Sequence, residues 1–74
     1  KEETLRFWMK NTYIPLAIAF IDAKGVITDI LEMIPLDTIT PYTSSKPALY
    51  ALEVNSDWFF LNNISTNDTV FGLP

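Results

Sequence analysis

The sequence predicts a mainly β domain: a small antiparallel or mixed sheet, or a partial barrel, with one short helix. Three observations carry this. Side-chain character alternates at period two along residues 5–9, 14–22 and 49–55. The turn-forming string Asp22-Ala23-Lys24-Gly25 separates two extended stretches. Only the segment from Asn55 to Asn63 carries capping residues at both ends of an aromatic run.

Residues 5–9 form the first predicted strand, with Leu5, Phe7 and Met9 on a core face and Arg6, Trp8 and Lys10 on the other. Asn11-Thr12 then supplies turn chemistry, because an Asn amide can bond back to the main chain and tolerates left-handed backbone. Along residues 14–22 the even positions are bulky (Ile14, Leu16, Ile18, Phe20), whereas Ala17 and Ala19 are small. Small residues on one face let another element approach closely, so this strand is expected to be covered on both sides. Pro15 sits at its start, where no ladder donor is needed. Gly25 occupies the turn position that most readily takes positive φ, and residues 26–33 return as the second strand of a hairpin. Asp29 and Glu32 fall on opposite faces of that strand, which places its end near a sheet edge.

Residues 34–47 hold three of the five prolines and show no useful periodicity, so they read as one long loop. Such loops often line a binding surface; the alternative is a crossover that merely lids the core, and it weighs somewhat more. Residues 49–55 alternate again, with Tyr50, Leu52 and Val54 on one face and Ala51 and Glu53 on the other. Asn55-Ser56-Asp57 then offers an N-cap and a first-turn acid for a helix through Trp58-Phe59-Phe60-Leu61, which Asn62-Asn63 can end in left-handed geometry. So short a helix cannot persist on propensity, so Trp58 or Phe59 together with Leu61 must dock on the sheet. Residues 68–71 are expected to close the chain as a last short strand.

Composition excludes much chemistry. Seventy-four residues make one domain, 1–74, and a chain of this size buries only about 60% of the surface its unfolded form exposes. With no Cys and no His there is no disulfide, no thiolate catalysis and no ordinary near-neutral base, and most zinc sites are excluded. Nine carboxylates against five cations, a net charge of −4, argue against a nucleic-acid partner, which calls for a basic face. The longest apolar run, residues 13–21, is broken by Pro15 and too short to span a bilayer. The first residue is Lys1 rather than Met, which suggests a processed or excised piece. No cofactor is implied.

Paired-carboxylate catalysis would need convergence among Asp22, Asp29, Glu32, Asp37, Glu53, Asp57 and Asp68, but Asp22 and Asp57 are better explained as turn and cap residues. The neighbours Ser44-Ser45-Lys46 lack the spacing and partners of an activated serine. Two glycosylation-type triplets, at Asn63 and Asn67, are of a kind that arises by chance in Asn-rich turns. The strip Arg6, Trp8 and Lys10 places two cations around an indole, a face able to hold an anion or stack a sugar ring. Against that stands packing: a cation stem lying on the indole, a contact worth roughly 0.5–1 kcal/mol when exposed, or Lys10 paired with Glu53. Packing weighs more, because indole-bearing strands more often pack than bind.

The strings Phe7-Trp8-Met9-Lys10-Asn11-Thr12, Ile14-Pro15-Leu16 and Phe20-Ile21-Asp22 resemble the domain-of-unknown-function 192 family of small, often exported prokaryotic proteins. The likeness continues through Pro47-Ala48, Tyr50, Leu52-Glu53-Val54-Asn55, Trp58, Ile64 and Asp68-Thr69-Val70. It implies a compact β-rich fold with a short helix, an extracytoplasmic setting, and no particular activity. Ala17 stands where the family usually has Asp, which removes any role of that carboxylate. Asp57, Asn63 and Asn67 stand where Gly is usual; Asn preserves a positive-φ turn, whereas Asp57 reads as a helix-start acid. The resemblance also implies a preceding segment, so the domain is expected to be incomplete on its N-terminal side. Its unpaired strand edges would then be filled by a homo-oligomer or exchanged strands.

The functional expectation is a non-enzymatic binding or interaction domain. Arg6, Trp8, Lys10, Asn11, Tyr42 and Glu53 would face a small anionic or carbohydrate-like ligand or a protein, without nucleic acid or membrane insertion. The alternatives are a hydrolase or transferase built on carboxylates and Lys10, and a purely structural assembly domain.

Overall fold

The computed structural model describes residues 3–7, 9, 13–36 and 41–72. Among these, the elements follow in the order β1 (Arg6–Phe7), β2 (Leu16–Ile21), β3 (Ile27–Met33), β4 (Tyr42–Thr43), β5 (Tyr50–Asn55) and α1 (Trp58–Leu61). Every strand pairing is antiparallel. β2 lies between β3 and β5 in a three-stranded sheet, and β1 pairs with β4 in a separate two-stranded one.

The domain is organised around β2, whose residues Ala17, Ile18, Ala19, Phe20 and Ile21 are all buried. Its bulky face, Ile18 and Phe20, packs with Met9, Met33, Tyr42 and Ala48, and Leu5, Phe7, Leu16 and Leu31 lie around them. The β1–β4 pair covers this face. The small face, Ala17 and Ala19 with Ile21, meets Ile27 and Phe59, flanked by Ile30, Tyr50, Val54, Ile64 and Val70. Alanine at two successive inward positions leaves room for a helix residue to seat directly on the strand, so α1 docks there through Phe59.

The β2–β3 hairpin closes as expected. Asp22 Oδ1 accepts the N–H groups of Lys24 and Val26, each at 2.9 Å, and Gly25 has φ +85°. Register shifts once, so that Phe20 opposes Asp29 while Ile21 opposes Ile27. Thr28 is the extra residue, and the bulge keeps Ile21 and Ile27 in one apolar cluster. Asn63 and Asn67 both take left-handed backbone, φ 56° and 76°, as their Gly-like positions require. Asn63 ends α1 in a Schellman arrangement: Ile64 N–H donates to Phe59 O at 2.9 Å and Asn63 N–H to Phe60 O at 3.2 Å.

Four local expectations change. Residues 34–47 are not loop throughout, because Tyr42–Thr43 forms β4 against β1. The strand expected at 68–71 is reduced to an isolated bridge between Val26 and Thr69. Asp57 occupies the N-cap position rather than the first turn. With ψ near 1° its carboxylate makes no bond to the helix, since side-chain capping needs the extended backbone that turns the oxygen toward the helix N–H groups. Phe59 carries the docking of α1 while Leu61 is 73% exposed, as one short turn can seat only one side on the sheet.

Candidate functional site

The basic-aromatic strip expected from sequence is resolved in part. Arg6 is exposed on β1; it opposes Thr43, while its neighbour Phe7 opposes Tyr42. Directly opposed residues share a face, so Arg6 points away from the core and Tyr42 into it. Tyr42 is 7% exposed, and its hydroxyl accepts the Ile34 N–H at 2.9 Å. Glu53 is exposed on β5 in the other sheet, opposite Ile18. Trp8, Lys10 and Asn11 lie outside the described residues, as does Asp37 among the carboxylates.

Most of the remaining candidate groups serve the backbone. Asp22 holds the hairpin turn, and Asp68 Oδ2 accepts the Ser65 N–H at 2.8 Å. Ser44 is buried; its hydroxyl accepts the Leu5 N–H at 3.0 Å while its own N–H donates to Leu5 O at 2.9 Å. It ties β1 to β4 and has no nucleophilic setting. Among the described residues, no group of three or more carboxylates could hold a metal ion. Nor is any helix there long and apolar enough to cross a membrane.

Asp29 is a carboxylate whose ionisation the fold alters. Its Oδ2 accepts the Thr28 hydroxyl at 2.9 Å and the Ser45 N–H at 3.0 Å, joining β3 to the segment after β4. Burial pushes its carboxyl up, but the Ser45 hydroxyl and amide, the Thr28 hydroxyl and the Lys46 charge outweigh that and hold it below its ordinary value of 3.8. Because the folded-state value is lowered, the contribution to stability is complete above the unfolded-state value. It is lost as pH falls through the folded-state value. Asp29→Asn is therefore expected to lower Tm at neutral pH and to flatten the acid limb of a Tm-against-pH curve below pH 3.8, so that the two curves converge. Curves that stay parallel down to strong acid would contradict this assignment.

The concave feature with the most complete chemistry lies where the entry to β2 meets the corner between β5 and α1. Ile14, Pro15, Trp58 and Leu61 form an apolar wall around a groove of about 400 Å³, and Asn55, Ser56 and Asp57 form its polar rim. Trp58 is 37% exposed and stands edge-on to Phe59, ring centroids 5.4 Å apart at 87°. Phe59 thus anchors the indole from below while one side stays open. Asp57 makes no capping bond, and no hydrogen bond among the described residues uses the side chains of Asn55 or Ser56. Sequence reasoning missed this groove. The available signal was that Trp58, Phe59 and Leu61 cannot all face the sheet from a single turn, which leaves two of them for another surface.

A second cavity, of about 240 Å³, lies by the hairpin turn against the C-terminal segment, with Lys24, Gly25, Tyr50, Val70 and Phe71 in its lining. It is the seam between two packed segments.

No curated protein matches the sequence. A solved structure from Sinorhizobium meliloti 1021, described as a "putative transcription regulator", is similar with a TM-score of 0.86 and 31% identity. The match covers 93% of this chain and 54% of that one, so the chain spans about half the length of that protein. The family model described as an uncharacterised ACR, domain of unknown function 192, matches residues 1–72. With the fold and the signature strings in agreement over nearly its whole length, the chain belongs to the domain-of-unknown-function 192 family.

Proposed function

We propose that the domain is a binding module without catalytic chemistry of its own, and that the groove beside Trp58 takes a neutral, hydroxyl-bearing ring of the carbohydrate type. The observation that carries this reading is the pairing of an open indole face with three rim side chains that make no hydrogen bond within the described chain. An aromatic face stacks on the C–H face of a sugar ring, and an amide, a hydroxyl and a carboxylate are donors and acceptors matched to ring hydroxyls. Few polar groups on a mostly apolar wall are the usual make-up of a small-molecule site. The lining has no cation and one carboxylate, which favours a neutral ligand over an anionic one there. Arg6 is an exposed cation, away from this groove, on which an anionic ligand would draw.

Catalysis is less favoured, because Asp22, Asp29 and Asp68 each engage one carboxylate oxygen with backbone N–H groups, and the Ser44 hydroxyl is engaged by Leu5. The charge of −4 weighs against nucleic acid as the ligand, whatever the described role of the S. meliloti protein.

The test is titration of tryptophan emission with a panel of neutral mono- and oligosaccharides, followed by variants on the best hit. Trp58→Ala is expected to weaken binding about tenfold or more, since truncating the central aromatic of a site removes its main contact. Asn55→Ala, at an exposed position with no structural bond, should weaken it without changing Tm. A panel that leaves emission unchanged, or a hit whose affinity both variants preserve, would remove the groove from consideration.

A further inference from the structure

We infer that Asp57 gives the groove beside Trp58 a charge preference. Among carbohydrate rings of one shape, a ring bearing an ammonium group binds more tightly than its neutral parent, and a ring bearing a carboxylate binds more weakly. This preference rests on the carbohydrate reading of the groove and ranks the members of that class. It begins at a helix start whose acid the helix does not use. An N-cap aspartate ordinarily turns an oxygen onto the N–H groups of the first turn, where the helix dipole also meets its charge. Asp57, with φ −94° and ψ 1°, makes no such bond. It is exposed and lies in the rim of the groove, directly before Trp58.

Two groups in this groove therefore attract a cation, by different physics. The Asp57 carboxylate acts through its full charge. The open face of Trp58 acts through its quadrupole, and indole is the aromatic ring that holds an ammonium ion best. Both act on an anion in the opposite sense, because a ligand carboxylate meets like charge at Asp57 and the negative face of the ring at Trp58. Asn55 and Ser56 can donate to and accept from hydroxyls whatever the charge of the ligand, so the ranking by charge falls to Asp57 and Trp58.

The surrounding charge of the described chain works in the same direction. Glu53 shares its strand face with Asn55, which sets a second carboxylate about 7 Å along β5 from the rim. Arg6 belongs to the other sheet. Lys24 sits in the turn that follows β2, whereas Ile14 and Pro15 bring the groove to the entry of that strand. The length of β2 separates the two by roughly 20 Å, well beyond the screening length of about 8 Å at physiological salt. Each attraction is modest where water has access, and the two together are worth about threefold or more in affinity.

The test titrates tryptophan emission with the best-bound neutral hexose of the panel, its amino sugar and its uronate, starting with glucose, glucosamine and glucuronate. It is run at about pH 6, where the amine is protonated. The amino sugar is expected to bind about threefold or more tighter than the neutral hexose, and the uronate about threefold or more weaker. Asp57→Asn keeps the size of the side chain and should shrink the spread between amino sugar and uronate by about threefold or more. Asp57→Glu, which keeps the charge, should retain the spread. The ratio between ligands is the decisive reading, because a variant that merely loosened the groove would weaken all three alike. Tm of Asp57→Asn should match wild type, since the carboxylate makes no bond to the helix. An amino sugar bound no tighter than its neutral hexose, or a spread that Asp57→Asn leaves intact, overturns the inference while the carbohydrate reading stands. Silence from every neutral hexose and every amino sugar removes both.

Discussion

Phe20→Ala is expected to destabilise the domain by about 3–5 kcal/mol, the usual cost of emptying a buried phenylalanine site. Phe20 is fully buried on the bulky face of β2. Its ring lies 5.9 Å from that of Phe7, tilted by 43°, within the cluster that also holds Met9, Ile18 and Met33. Phe7 lies on β1, in the separate two-stranded sheet, so this ring pair is one of the contacts, with Tyr42 and Leu5 in the same cluster, that join the β1–β4 layer to the central sheet. A domain of this length holds only roughly 4–11 kcal/mol in total, at 0.05–0.15 kcal/mol per residue. The variant should therefore be largely or wholly unfolded at 37 °C, with a urea midpoint moved far toward zero. Phe20→Leu, which keeps most of the volume, should lose much less. A midpoint for Phe20→Ala close to wild type would mean that the β1–β4 layer is held by something other than this cluster.

Gly25→Ala, at a buried turn position, is expected to be the costliest turn change, by two separable effects. At φ +85° an alanine pays roughly 1–2 kcal/mol for left-handed backbone. Its Cβ would also stand 2.7 Å from Val70 O, closer than real Cβ atoms come. The C-terminal segment must then move, at the expense of the 2.7 Å bond from Val70 N–H to Gly25 O, about 0.5–1.5 kcal/mol more. At roughly 4–8 °C per kcal/mol for a domain of this size, Tm should fall by about 10 °C or more. Gly25→Asn separates the effects, because Asn tolerates the backbone but carries the same Cβ. It should recover part of the loss, and full recovery would show that the approach to Val70 costs nothing.

Much of the fold was legible because its signals are local. The two-faced character of β2 follows from alternation between Ile18 or Phe20 and Ala17 or Ala19, and burial on both sides follows from that. The hairpin turn follows from Asp22 and Gly25, and the left-handed turns from Asn63 and Asn67. The candidate site was less legible. Arg6, Tyr42 and Glu53 were grouped as one surface, yet Tyr42 faces inward, Arg6 outward, and Glu53 belongs to the other sheet. Alternation says which residues share a face of one strand. It does not say which strands become neighbours.

By itself, then, the sequence determined the strands with enough residues to show a period, the turns whose φ only Gly or Asn accepts readily, and the family signature. Tertiary structure alone decided three things. The two-residue β4 exists because it pairs with β1, a contact closed across 39 residues between Leu5 and Ser44. Which of Trp58, Phe59 and Leu61 docks was decided by the small face of β2, which admits one aromatic. The groove exists because Ile14 and Pro15 lie beside Trp58 and Leu61, over forty positions later in the chain. Periodicity and turn preference act over a few residues, whereas these features depend on chain closure, and no local residue pattern encodes which distant segments close on each other.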